Sequence, residues 1–235
     1  MMVIMDFSFG IITSGEDYDR IYEIISSIEK QQIKNYDIVV VGGENKYKNI
    51  KNLVHLDFDE LQKSNWNEIN TSGWITKKKN LITSTVKYDN VVYMHDYHVL
   101  QDDWYQKFLE FGSDWDICMN RILQHDGKRF RDWVSWDLPD KGHMWALDYD
   151  DASLSKYSYI SGGFWVAKKD VMIEEPLSEK LLQNQSEDSE WSLRVRDKYN
   201  YVMNKNCVVK HNKIHKDSGF QGFADVMYGA TKEIE

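Results

Sequence analysis

Short apolar runs alternate with amphipathic stretches through residues 7–94, and this alternation constrains the fold more than any other feature. Residues 7–13 form an apolar run that ends in the turn signal Thr13-Ser14-Gly15. Four isoleucines, at positions 21, 24, 25 and 28, then recur at the spacing of one helix face. Further strands are expected at 37–41, 53–58 and 91–94, with a helix at 76–86. The order β-α-β-β-α-β with apolar strands predicts an α/β fold, a mostly parallel sheet flanked by helices.

The second half of the chain is more aromatic and less periodic. It predicts a helix from residue 104, strands at 117–120, 159–167 and 208–210, a polar and aromatic segment at 121–157, and a helix at 187–198. In open α/β sheets, ligands bind outside the carboxyl ends of the strands. A site is therefore expected where strands end, near residues 13–15, 42–44, 95–98 and 211.

The charge balance argues against several classes of function. The chain has 235 residues, with 29 Lys and Arg against 38 Asp and Glu, a formal net charge of −9. Broad binding to nucleic acid or to an anionic membrane needs a basic footprint, which this chain lacks. The sequence contains no apolar run of about 18 residues, so no membrane-spanning helix is predicted. Residues 1–12 are expected to form a first strand, not a signal peptide. Cys118 and Cys207 lie in separate apolar stretches, which predicts two buried thiols in a cytoplasmic protein.

The most informative motif is His95-Asp96-Tyr97-His98, which directly follows an apolar strand. Asp96 and His98 are two positions apart, so in an extended segment they point the same way. An oxygen and a nitrogen ligand together suit Mn²⁺ or a similar divalent ion, which can neutralise a leaving diphosphate. His211 is the better placed third ligand and His215 the spare. A polar loop at a strand end is the alternative.

A second motif places Glu187 and Asp188 at the start of a helix. The helix macrodipole alone favours acidic residues there. The functional alternative is a carboxylate aimed at a cleft as a general base.

Three weaker features complete the candidates. Lysines at 77–79 oppose the macrodipole in the first turn of a helix, which favours a phosphate contact over simple solvation. Gly162-Gly163 allows the backbone to approach a bulky group closely. Four tryptophans can either offer a flat face to a sugar or pack in the core: Trp133, Trp136, Trp145 and Trp165.

Taken in order, these motifs resemble those of the nucleotide-sugar glycosyltransferases of the GT-A fold, in particular the family-two-like and mucin-type enzymes. The likeness covers roughly residues 7 to 211 and has six parts. They are the nucleotide strand and turn at 9–14, Lys79-Asn80, Asp96-Tyr97-His98 as an Asp-x-His metal motif, Gly162-Gly163, Glu187-Asp188 followed by Arg194, and His211.

The resemblance implies a single Rossmann-like GT-A domain with a small antiparallel sheet on the acceptor side. Residues 1–115 would form the nucleotide-sugar half and 116–211 the acceptor half. Residues 212–235 would form a tail, with a lid or an interface as its alternatives. The oligomeric state stays open.

The resemblance also implies a metal-dependent enzyme of polysaccharide biosynthesis that moves a sugar from a nucleotide donor, a UDP-sugar first, to a hydroxyl of a glycan. Asp188 would be the base of an inverting reaction, although retaining enzymes share this fold, and Glu187 would orient the acceptor or donor. Mn²⁺ or Mg²⁺ would be held by Asp96, His98 and His211. The remaining donor contacts would be Thr13, Ser14, Gly15, Glu44, Lys79, Asn80, Asp96, Gly162 and Gly163.

The sequence departs from the family pattern after the second strand and before the metal strand. Gly42-Gly43 replaces an acidic residue, with Glu44 one position late, and Lys79 replaces an Arg, which loses bidentate phosphate geometry. Two alternatives remain. A nucleotidyltransferase would usually carry a basic Gly-rich loop after the first strand, and a non-catalytic glycan-binding module would need no nucleotide.

Overall fold

A curled eight-stranded sheet forms the centre of the computed structural model, which describes residues 4–47, 49–58, 74–139, 145–181 and 186–212. Its strands are β1 Phe7–Ile12, β2 Tyr36–Val41, β3 Leu53–Leu56, β4 Asn90–His95, β5 His98–Leu100, β6 Ile117–Gln124, β9 Phe164–Lys168 and β10 Tyr201–His211. A separate antiparallel pair is formed by β7 Val134–Ser135 and β8 Trp145–Ala146. The α/β class, the mostly parallel sheet and the small antiparallel sheet are confirmed.

Six of the eight strands run in the same direction. Within the described residues the sheet order is β3-β2-β1-β4-β9-β6-β10-β5. Strand β9 pairs antiparallel with β4 and β6, and β5 pairs antiparallel with β10, whereas the other pairs are parallel. The carboxyl ends of β1, β2, β3, β4, β6 and β10 therefore share one edge of the sheet with the start of β9.

Two apolar clusters cover the two faces of the sheet. The described helices are α1 Tyr18–Glu29, α2 Trp74–Thr85, α3 Trp104–Phe111, α4 Lys169–Glu174, α5 Glu187–Val195 and a 3-10 helix, Ala152–Tyr157. The isoleucine face predicted for α1 is buried with α3 against β1 and β2. Helices α2, α4 and α5 pack in the other cluster. None of the helices in the described ranges is long and apolar enough to cross a membrane.

Several elements begin or end away from their predicted positions. Strand β9 begins at Phe164, because the N–H of Phe164 donates to the carbonyl of Ser161 and closes a turn over Gly162-Gly163. Strand β10 is much longer than residues 208–210, since a bulge between Asn204 and Val208 absorbs a polar interruption. Cys118 and Cys207 are buried free thiols, as predicted. The predicted lid beyond residue 212, with His215, lies outside the described residues.

Candidate active site

The ends of β1 and β4 are joined by a side-chain hydrogen bond at the shared edge of the sheet. The Thr13 hydroxyl donates to Asp96 Oδ2 at 2.7 Å, and the N–H of Gly15 donates to Thr13 Oγ1 at 2.9 Å. Ser14 lies between these two positions. This contact brings three predicted donor residues together across 83 positions of sequence.

The ends of β1 and β2 touch through glycine. Gly15 and Gly43 have φ of +77° and +66°, and a Cβ on either would lie 2.7 or 2.8 Å from the other's Cα. The next N–H, that of Glu44, donates to the Tyr18 hydroxyl at 2.9 Å. The backbone nitrogen of Glu44 is thereby placed beside Gly15, 3.7 Å from where a Cβ of that residue would lie.

A cleft of about 310 Å³ opens at the same edge, between the loop after β4, the turn before β9 and the start of α5. Its lining consists of His95, Tyr97, His98, Phe130, Arg131, Val134, Trp136, Ile160, Ser161, Gly162, Gly163, Glu187, Asp188 and His211. Six predicted site residues are therefore brought together there: His98, Gly162, Gly163, Glu187, Asp188 and His211.

Asp188 lies in the first turn of α5 with its carboxylate held by backbone N–H groups. Oδ2 accepts from Gly162 at 3.2 Å, and Oδ1 accepts from Ser189 at 2.8 Å. Burial, followed by the charge of Glu187, raises the pKa of Asp188, while Lys79 and the two N–H groups oppose that rise. A carboxylate with a raised pKa and a fixed orientation has the properties required of a general base near neutral pH.

Lys79 lies beneath the cleft. Its ammonium donates to the Gly162 carbonyl at 2.8 Å and pairs with Glu187 Oε1 at 3.2 Å. The side chain is 1% exposed and lies over the Trp165 ring at 4.7 Å. The structure therefore places Lys79 against protein groups and outside the lining of the cleft.

Asn80, the partner of Lys79 in the predicted motif, faces another segment. Its Nδ2 donates to the Leu177 carbonyl at 2.9 Å, and its Oδ1 accepts from the Leu177 N–H at 3.1 Å. Asn80 thus ties α2 to the chain after α4, and the structure does not place it in the cleft.

Two of the three predicted metal ligands are neighbours. The rings of His98 and His211 are 5.2 Å apart between centroids and nearly perpendicular. Asp96 does not line the cleft and is bonded to Thr13. Among the described residues, no group of three or more His, Cys, Asp and Glu is arranged so that it could hold a metal. The three-residue metal site stays a prediction.

His98 is nevertheless suited to receive a ligand. It is 0% exposed, and neither ring nitrogen has a hydrogen-bond partner among the described residues. Burial, and secondly the nearby His211, lower the pKa of His98 well below its usual value, so the imidazole is neutral. A neutral imidazole with unpartnered nitrogens can coordinate an ion or hydrogen-bond to a bound molecule.

Gly163 provides the space that His98 occupies. A Cβ at Gly163 would lie 2.7 Å from His98 Cε1 and 3.3 Å from the Tyr97 hydroxyl oxygen. We expect Gly163→Ala to lower the free energy of unfolding in urea by about 1–3 kcal/mol, the usual cost of overpacking. The control is the same substitution in a His98→Ala background, where the cost should be clearly smaller. Equal costs in both backgrounds would show that the imidazole does not require this glycine.

Eight lining residues were not among the predicted site residues: His95, Tyr97, Phe130, Arg131, Val134, Trp136, Ile160 and Ser161. The Tyr97 ring packs against both His98 and His211, with ring centroids 4.7 Å from each, and its hydroxyl is hydrogen-bonded to His95 Nδ1 at 2.8 Å. The motif His95-Asp96-Tyr97-His98 could have indicated Tyr97, because it sits at the end of the same strand.

Of the four tryptophans considered for sugar stacking, Trp136 is the one with an exposed face in the cleft. It is 39% exposed, whereas Trp133 and Trp165 are buried and Trp145 is partly buried. Among these four tryptophans, Trp136 is therefore the candidate for stacking on a sugar in this cleft.

No protein-family model matches the chain, and no curated protein sequence matches it. Solved structures of S. aureus TarS do match. The structure of TarS 1-349 has a TM-score of 0.61 at 14% identity, over 88% of this chain and 60% of that one. Its complex with UDP-GlcNAc has a TM-score of 0.61 at 14% identity, over 91% and 60%. Its complex with UDP has a TM-score of 0.58 at 13% identity, over 89% and 61%.

This chain spans about three fifths of the length of those TarS structures. At such low identity the likeness shows the fold, and the fold is GT-A-like, as expected from the order of the motifs.

Proposed function

We propose that this chain is a glycosyltransferase that moves a sugar from a UDP-sugar to a hydroxyl of a glycan, with Asp188 as the general base. The observation that carries the proposal is the partly buried Asp188 carboxylate, held by two N–H groups in a cleft at the carboxyl edge of the sheet. The shared fold with TarS, whose structures include complexes with UDP-GlcNAc and UDP, supports the choice of donor.

In the proposed reaction, Asp188 removes the proton of the acceptor hydroxyl as its oxygen attacks the anomeric carbon of the donor. A bond forms between that oxygen and the carbon, and the bond from the carbon to the diphosphate oxygen breaks. The nucleoside diphosphate leaves with the bonding electron pair, and attack from the opposite face inverts the anomeric centre. Glu187 lines the cleft beside Asp188 and is proposed to orient the acceptor or donor.

The nucleotide is proposed to bind where the ends of β1, β2 and β4 meet. Thr13, Ser14, Gly15, Glu44 and Asp96 would form this subsite. The close approach of Gly15 and Gly43 supports this assignment, because it leaves partly exposed backbone in a place where side chains would fill the space.

A divalent ion, Mn²⁺ or Mg²⁺, is also proposed, held by Asp96, His98 and His211. When bound it would supply positive charge to the leaving diphosphate. The imidazole of His98 and its neighbour His211 support this role, whereas the Asp96 carboxylate accepts a hydrogen bond from Thr13 and would have to exchange it for the ion.

A thermal-shift screen of nucleoside diphosphates tests the donor assignment. UDP at 100 times its dissociation constant should stabilise the protein by about 2.7 kcal/mol, and UMP at the same concentration should do less because it lacks the second phosphate. Repeating the UDP measurement with Mn²⁺, with EDTA and in Asp96→Asn tests the ion. Equal stabilisation in all three would remove the ion from the proposal, and no response to any diphosphate would remove the donor site.

One observation favours a second candidate, a glycan-binding module without chemistry. Trp136 presents an aromatic face in the cleft, and such faces bind sugars without any nucleotide. A change of tryptophan fluorescence on glycan binding that is lost in Trp136→Ala, together with no response to nucleoside diphosphates, would favour this candidate.

A further inference from the structure

We propose that Lys79 is a positioning residue that holds Asp188 in place through the backbone of Gly162 and through Glu187, and that it does not contact the donor. The inference rests on the proposed function of Asp188 as the base.

The geometry is a chain of contacts through the backbone of one residue, Gly162. The carbonyl of Gly162 accepts from the Lys79 ammonium at 2.8 Å, and the N–H of the same residue donates to Asp188 Oδ2 at 3.2 Å. A Cβ at Gly162 would lie 2.8 Å from Asp188 Oδ2, so the carboxylate rests directly on the glycine backbone. Displacing the carbonyl of Gly162 would therefore displace the group that orients Asp188.

A second route runs through Glu187, which precedes Asp188 on α5. Glu187 Oε1 lies 3.2 Å from the Lys79 ammonium, and its side chain is 16% exposed. The pair fixes the first turn of α5 to α2, across 108 positions of sequence. Lys79 thus acts on both neighbours of the Asp188 carboxylate.

Lys79 is poorly placed for a donor phosphate. Its ammonium donates to Gly162 and Glu187 and lies over Trp165, in a stack that continues from Trp165 to Tyr93 with ring centroids 4.8 Å apart. With 1% of the side chain exposed, a phosphate could reach it only by displacing the Gly162 turn.

The charges around Asp188 predict the direction in which each substitution shifts its pKa. Glu187 raises the pKa of Asp188 and Lys79 lowers it, on top of a larger rise from burial. Tyr201 on β10 also senses the charge of Asp188. The remaining titratable groups that line the cleft are His95, Tyr97, His98, Arg131 and His211. Removing Lys79 and removing the charge of Glu187 should therefore shift the titration of Asp188 in opposite directions.

The experiment follows the Asp188 carboxyl carbon by ¹³C NMR across pH, in the full chain without substrate, and assigns its signal with Asp188→Asn. We expect Lys79→Met to raise the pKa of Asp188 by about one unit and Glu187→Gln to lower it by a similar amount, the usual effect of one nearby charge. Lys79→Arg, which keeps the charge, should lie closer to the wild type. The control is Lys87→Met, because Lys87 is exposed and outside the cleft.

The pH dependence of turnover provides the second measurement. A base works when deprotonated, so activity falls as pH falls through its pKa. The acid limb should therefore move to higher pH in Lys79→Met and to lower pH in Glu187→Gln, while Lys87→Met leaves it in place. UDP binding should be unchanged in Lys79→Met.

The outcomes separate the two proposals. If the NMR titration of Asp188 is the same in Lys79→Met and the wild type, the role of Lys79 is overturned whether or not the protein transfers sugar. A loss of UDP binding in Lys79→Met with an unmoved titration would return Lys79 to the donor site. If the wild type transfers no sugar but both titrations shift as expected, the positioning by Lys79 stands and the proposed function fails. If Lys79→Met does not fold, Glu187→Gln decides, and an unmoved titration there overturns the inference.

Discussion

Replacing Asp188 with asparagine should reduce turnover by about 10²–10⁴-fold, the usual contribution of a general base. Asparagine keeps the size of the side chain and can still accept from the Gly162 N–H through its amide oxygen. The fold should therefore be retained, but the amide cannot take the acceptor proton. The measurement is kcat for UDP release in the presence of acceptor, together with the dissociation constant for UDP.

Asp170→Asn is the matched control for this substitution. Asp170 lies in the first turn of α4, as Asp188 lies in the first turn of α5, but it is exposed and outside the cleft. We expect its kcat to equal that of the wild type. UDP affinity should be unchanged in both variants, since neither substitution touches the subsite proposed for the nucleotide. A fully active Asp188→Asn enzyme would exclude Asp188 as the base.

The largest effect on stability is expected from Asp132→Ala. Asp132 is 0% exposed and accepts four hydrogen bonds, from the N–H groups of Ile122 and Trp133, from Arg129 Nε and from the Tyr149 hydroxyl. The alanine leaves the Arg129 guanidinium and two N–H groups without this acceptor in a buried place. Because removing one partner of a buried ion pair costs about 3–5 kcal/mol, we expect a loss of that size in urea unfolding.

Asp126→Ala is the control, since Asp126 and Lys128 form a surface pair at 3.7 Å. Such pairs contribute about 0–1 kcal/mol, so its loss should be small. Asp132 holds the segment that supplies Phe130, Arg131 and Trp136 to the cleft. Asp132→Ala should therefore also weaken acceptor binding at temperatures where the protein is folded. A loss of stability no larger than that of Asp126→Ala would show that the buried pair is not needed.

Several elements within residues 7–95 could be predicted because their signals are local. The isoleucine face of α1 follows from the period of a helix, and β1, β2 and β4 follow from their short apolar runs. The observed ends of these three strands lie within one residue of the predicted ends. The bulge of β10 could not be predicted in this way. It depends on Asn204 accepting from the N–H groups of residues 206 and 207, a contact that no periodicity indicates.

The candidate site shows the same division. The acidic pair at the start of α5 and the histidines after β4 were recognisable as short motifs, and parallel strand ends predicted that His98 and His211 would meet. The partner of Lys79 was not recognisable, since Glu187 follows 108 positions later. From the sequence, a phosphate contact was expected for Lys79 because only its position in the first turn of a helix could be recognised.

By itself the sequence determined the class of fold, the edge of the sheet where a site would lie, and the acidic pair that opens α5. These features depend on the spacing of apolar residues in helices and strands and on the direction of the strands. Both are specified by short stretches of sequence. Only the tertiary structure decided which of four tryptophans keeps an exposed face, which protein groups surround Lys79, and where Asp96 points. These depend on desolvation and pairing between segments far apart in sequence, and a side chain's charge or exposure is set by those neighbours, not by its own residue type.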